Sequence, residues 1–194
     1  MIYELCRIQA SALTFKSVAK RALHAQGPGL LLGVWQSEIG ALFQIVLLRS
    51  WPNEAAQREA HEQRLLVADG MGIRPGESIS YECFSKFPFL PEVTSPPQGK
   101  VFELRTYYLR PGGLTPTLKG WEKALKPAQE YTSHLVINMY ASDGLDRIIH
   151  LWSFDSLEQR AELRAKYYAL NLWPPEGGPE QIVYASNTIL MPIG

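Results

Sequence analysis

Apolar and polar positions change their spacing in the same order twice along this 194-residue chain. The opening MIYELCRIQA, residues 1–10, alternates as a strand does, and VFELRTYYLRPGG, residues 101–113, repeats the pattern before a Pro-Gly-Gly turn. Tyr3-Glu4-Leu5 with Arg7 echoes Phe102-Glu103-Leu104 with Arg105. A 3.6-residue period follows each opening: Phe15, Val18, Ala19 and Ala22 share one helix face, as do Leu114, Leu118, Trp121 and Leu125. Thr115-Pro116 reads as the start of the later helix, with Thr as N-cap and Pro in the first turn.

Each half then returns to alternation for a hairpin, with turns expected at Glu38 to Gly40 and at Ser142 to Gly144. Asp143-Gly144 is the stronger turn signal. Second helices are expected over Asn53 to Ala68 and Ser156 to Leu170, and Gln57-Arg58 and Gln159-Arg160 mark them as counterparts. Closing strands fall near Ser78 to Ser85 and Gln181 to Leu190. The order is β-α-β-β-α-β, twice, which is the ferredoxin-like unit: an antiparallel sheet with two helices on one face.

The expected fold is therefore α+β. Two tandem ferredoxin-like units, residues 1–90 and 101–194, have antiparallel sheets packed into an α/β barrel that buries the face each sheet leaves bare. The proline-rich stretch 91–100 reads as an ordered crossover.

Charge and cysteine usage narrow the function classes. Nineteen basic residues balance nineteen acidic ones, which disfavours nucleic acid or an anionic surface as partner. No apolar run approaches the roughly 20 residues needed to span a bilayer, so the expected setting is cytoplasmic, without membrane insertion. The two cysteines, Cys6 and Cys83, make neither a zinc pattern nor a disulfide framework and read as reduced apolar residues. Neither a phosphate-binding glycine loop nor metal-spaced carboxylates occur, so no metal and no cofactor are expected.

Residues FELRTYYLRPG (102–112), HLWSFDSLEQR (150–160) and GVWQSEIGAL (33–42) together resemble the NIPSNAP family of the dimeric α/β-barrel superfamily. The likeness covers nearly the whole chain as two tandem copies. It implies the barrel fold and a homodimer. That superfamily includes cofactor-independent monooxygenases, haem-degrading enzymes, isomerases and proteins of unassigned reaction, so the resemblance implies no single activity.

Strand alternation selects the candidate chemistry. Phe102 and Leu104 share one face, Glu103, Arg105 and Tyr107 the other; Ile149 and Leu151 oppose Ile148, His150, Trp152 and Phe154. If the aliphatic sets pack on helices, then Glu103, Arg105, Tyr107, His150 and Trp152 converge where the two sheets meet. Such a set suits a small, partly apolar molecule bound between the sheets. In an enzyme His150 would be the acid or base, Arg105 would steady a developing anion, and Trp152 and Tyr107 would shape the wall.

The first half has Cys6, Leu47 and Arg49 where the second has Arg105, His150 and Trp152, so Glu4 and Arg49 are its only candidate contributors. His134 and Trp173 rank lower, and His24 and His61 read as solvated. A structural reading stands beside this one: Glu103 and Arg105 neutralise each other, and His150 and Trp152 are core. The corresponding alternative function is a noncatalytic protein-interaction module.

Overall fold

The first alternating stretch forms β1 (Ile2–Gln9), followed by α1 (Phe15–Leu23), β2 (Leu30–Ile39), β3 (Gln44–Trp51), α2 (Glu54–Leu66) and β4 (Ser78–Lys86). The computed structural model describes residues 1–24, 27–66 and 75–193. The expected end of the second helix at Ala68 lies outside them. Strand order β4-β1-β3-β2 is that of a ferredoxin-like unit, with β1 antiparallel to both β3 and β4.

Val18, Ala19 and Ala22 of α1 pack on Cys6, Ile8, Val34, Ile45 and Leu47, an apolar cluster under the helix. Burying each larger aliphatic side chain contributes about 1.5–3 kcal/mol. Asn53 caps α2 by accepting from the Ala56 N–H at 2.9 Å. The hairpin turn falls two residues later than expected, because Glu38 and Ile39 remain in β2. Phe43 completes it with φ 59°.

The second unit contains β5 (Val101–Leu109), α3 (Leu114–Leu125), the short α4 (Gln129–Thr132), β6 (Leu135–Ala141), β7 (Arg147–Phe154), α5 (Leu157–Ala169) and β8 (Ile182–Pro192). A 3₁₀ turn at Pro179–Gln181 precedes β8. Its strand order is β8-β5-β7-β6, again ferredoxin-like, so the chain is α+β with eight strands and five helices among the described residues.

Helix α3 begins at Leu114 with Gly113 as N-cap, rather than at Thr115-Pro116. Pro116 still lies in the first turn, where no backbone donor is missed. Ser156 caps α5 by accepting from the Gln159 N–H at 3.2 Å, and Gly144 makes the β6–β7 turn with φ 71°.

Backbone proximity divides the chain at other points than the expected boundaries at 90 and 101. One compact unit comprises Met1–Ser85, Glu92–Pro97 and Thr188–Gly194, the other Lys86–Pro91 and Gln98–Asn187. Stretch 86–91 joins the second unit because the Phe87 N–H donates to the Asn138 carbonyl and the Phe87 ring enters that unit's core. The end of β8 joins the first unit by pairing with β2, where Gln36 faces Met191.

The helix-packed face of the second sheet reverses the expectation. Glu103, Arg105, His150 and Trp152 lie beneath α3, α4 and α5, with Trp152 in one cluster with Trp121, Tyr131, Leu163 and Tyr167. Phe102, Leu104, Ile149 and Leu151 occupy the opposite face and are buried as well. The helices here present aromatic and cationic side chains, so the sheet face that complements them is polar and aromatic.

Candidate functional site

The site is built on two neighbouring strands and roofed by helices. Strands β5 and β7 pair so that Glu103 faces Trp152 and Arg105 faces His150. Directly opposed residues hold their Cβ atoms about 4.5–5.5 Å apart, which brings these four side chains into one group.

Glu103 is fully buried and ionised. Its carboxylate accepts from Arg105 Nη2 at 2.5 Å, from Asn187 Nδ2 at 3.0 Å and from Arg160 Nε at 2.9 Å, with a further contact from Arg160 Nη2. Burial alone would raise its pKa, but the hydrogen bonds from Arg160 and Arg105 outweigh that and hold it well below the usual carboxylate range. Arg105 is held charged by Glu103 against a burial penalty. Its Nη2 also donates to the Tyr131 hydroxyl at 3.2 Å, and its guanidinium lies 5.4 Å from the Trp152 ring.

Trp152 Nε1–H donates to His150 Nδ1 at 2.8 Å. Indole has no acceptor, so Nδ1 must accept and the ring proton resides on Nε2. Burial, with the charge of Arg105, pushes the His150 pKa well below its ordinary value, and the imidazole is neutral. Tyr107 and Trp121 meet it edge to face, with ring centres 4.7 and 5.1 Å away.

Beside these side chains lies a cavity of about 250 Å³, walled by Tyr107, Trp121, Tyr168, Trp173 and the prolines Pro174, Pro175 and Pro179, with Arg105 and His150 on its floor. The floor contains two unspent donors. His150 Nε2 and Arg105 Nε are buried and have no hydrogen-bond partner in the protein. Leaving a buried donor unpaired costs about 1–3 kcal/mol, and here both residues that bear that cost line the same space.

The structure thus brings Arg105, His150 and Tyr107 to one cavity. Glu103 and Trp152 stand behind them as the ion-pair acceptor and the ring that fixes the His150 tautomer. The cavity lies between the second unit's sheet and its helical layer, which corrects the expected site between sheets. Glu4 and Arg49 do not line it. Glu4 instead accepts from Gln57 Nε2 at 2.8 Å and Arg64 Nη2 at 2.6 Å of α2, and Arg49 is its strand neighbour. Burial pushes the Arg49 pKa down while Glu4 opposes that shift.

His134 donates from Nδ1 to the Ser153 carbonyl and stacks on Phe154, a structural role. His61 is half-buried against Tyr81 rather than solvated, while His24 is exposed. Among the described residues no three His, Cys, Asp or Glu side chains are grouped to hold a metal ion. None of the helices there is long and apolar enough to cross a membrane.

Sequence reasoning missed Tyr131, Arg160 and Tyr168, and ranked Trp173 low. Trp173 is buried, 4.9 Å from Trp121 and 5.3 Å from Tyr131 in ring centres. Its apolar bulk beside Pro174-Pro175 was the available signal. Tyr131 sits on the four-residue α4, too short for a hydrophobic period to reveal.

Residues 102–194 match the NIPSNAP family. Protein NipSnap homolog 2 of Mus musculus is 27% identical over 168 residues, covering 82% of this chain; the chain spans 57% of the mouse protein's length. A protein of Agrobacterium tumefaciens, described in one of its crystal structures as a nipsnap family protein, is 33% identical over 46% of this chain and 89% of its own, with a TM-score of 0.40. An anthrone oxidase-like protein shares the fold at 11% identity, covering 100% of this chain and 92% of its own with a TM-score of 0.65. The polar and aromatic cavity therefore lies in a NIPSNAP domain, and the chain belongs to the NIPSNAP family.

Proposed function

We propose that this protein binds a small, partly apolar molecule in the cavity of its second unit. One observation supports the reading above others: two buried donors, Arg105 Nε and His150 Nε2, lack a protein partner and belong to two residues that line the same aromatic-walled space. Folded proteins satisfy nearly all buried polar groups, so an unpaired couple of donors beside a cavity points to a ligand acceptor. The first unit offers the contrast, since Cys6 and Leu47 occupy the matching positions within an apolar cluster under α1.

At about 250 Å³ the space is smaller than the roughly 300–1,000 Å³ typical of drug-sized ligands, which fits a single substituted ring. His150 serves as a hydrogen-bond donor. The Trp152 contact occupies Nδ1, so this imidazole is not placed to accept a proton from the ligand.

Native mass spectrometry of protein purified from cells, and of protein incubated with single-ring aromatics, tests the reading. Retention of a small molecule is expected. Ala185→Trp, which enlarges an exposed residue at the cavity lining, should abolish it. Equal retention by that variant would place the ligand elsewhere.

A further inference from the structure

We propose that the cavity is selective for an aromatic oxyanion, its charged oxygen received by Arg105 Nε–H and His150 Nε2–H. This rests on the binding reading above and adds the charge and chemical class of the ligand.

Four observations converge. Both orphaned groups can only donate: guanidinium has no acceptor, and the one acceptor of the neutral imidazole is taken by Trp152. The ligand atom between them must therefore accept. The two residues that bear the donors are cross-strand partners in register, so both side chains rise from neighbouring points of one sheet face.

Charge then favours an anion over a neutral carbonyl. Arg105 and Arg160 share the single carboxylate of Glu103, so this buried group carries one uncompensated positive charge. Arg164 of α5 adds another cation nearby; it donates to the Tyr168 hydroxyl at 3.3 Å, and its charge also reaches His150 and Tyr131. Among the described residues no Asp or Glu lines the cavity to repel an anion. The Tyr131 hydroxyl accepts from Arg105 and leaves the guanidinium charge in place.

The walls select the ligand body. Tyr107, Trp121 and Trp173 offer ring edges and faces, and the prolines add flat apolar surface. A single ring bearing one ionised oxygen or carboxylate matches the volume. An un-ionised phenol would enter by releasing its proton to water, because His150 has no free acceptor site, and the site would stabilise the resulting anion.

The test compares three probes of one shape on the intact chain: 4-nitrophenol, 4-nitrobenzoate and the uncharged 4-nitroanisole. Calorimetry at a pH where the phenol is ionised should show one or both anions binding tenfold or more tighter than 4-nitroanisole. Absorbance of bound nitrophenolate should show its ionisation midpoint lowered by about one unit or more, the equivalent of that tenfold preference. Stronger binding of the benzoate identifies a carboxylate ligand, and stronger binding of the phenolate a single-oxygen anion. His150→Phe should reduce the anion preference while 4-nitroanisole still binds. Equal affinity for all three probes overturns the oxyanion assignment and leaves the cavity a binding site. Failure of all three to bind overturns both.

Discussion

Replacing Glu103 by Gln tests whether the buried charge group is held together as described. The carboxylate receives Arg105, Arg160 and Asn187, and the Arg105 side chain is only 3% exposed. The amide keeps one acceptor oxygen but turns an NH₂ toward guanidinium donors, and Arg105 loses the counter-charge that offsets its burial. Arg160 is more exposed and can turn to solvent.

Breaking a buried pair in this way costs about 3–5 kcal/mol. For a chain of this size that is about 6–20 °C in Tm, at about 2–4 °C per kcal/mol. Urea denaturation with an unchanged slope measures it directly. Glu4→Gln is the matched control: its ionic partner, Arg64, is 29% exposed, so the loss should be nearer about 1–2 kcal/mol. Glu103→Gln/Arg105→Met should recover about 1–3 kcal/mol relative to the single variant, since it removes the stranded charge. A cost below about 1 kcal/mol for Glu103→Gln, or a double variant worse than the single, would refute the account.

Two further outcomes follow from the same geometry. Because burial depresses the folded-state pKa of His150, only the unfolded chain takes up its proton as pH falls below about 6.5, and stability should drop by up to about 1.4 kcal/mol per pH unit. His150→Phe should remove that component between pH 6.5 and 5, read by urea midpoints; an identical slope in the variant contradicts a neutral buried imidazole. Gly120→Ala would put a Cβ 2.3 Å from the Glu176 carbonyl oxygen, so it should displace the segment over the cavity, cost about 1–3 kcal/mol and weaken probe binding, all measurable by calorimetry.

Element order was legible because each element carries its own period. Phe15, Val18, Ala19 and Ala22 read correctly as α1, and Ser156 as the start of α5. Which sheet face met the helices was not legible from β5 and β7 alone. Period two separates Glu103, Arg105 and His150 from Leu104 and Leu151 but does not say which set faces which layer. The answer lay in the helices, where Trp121, Arg160 and Tyr167 are the complements of a polar, aromatic face. Glu103, Arg105, Tyr107, His150 and Trp152 were thus read as sharing one face, while that face was assigned to the wrong layer. The His150 tautomer depends on the Trp152 contact at i+2, which is geometry and not pattern.

The cavity joins two parts under different constraints. Its floor is written into strand register: shifting β7 by one residue against β5 would turn His150 away from Arg105 and invert the whole face. Its lid, Trp173 to Pro179, is a short connection outside any strand, anchored by the buried Trp173 and Pro175, while Pro174, Glu176 and Pro179 are exposed and can change without moving the donors. Retuning this pocket is therefore a matter of recasting the exposed lid positions over an unaltered pair of donors. A designer seeking new selectivity should randomise Pro174, Glu176 and Pro179 and leave Trp173, β5 and β7 alone.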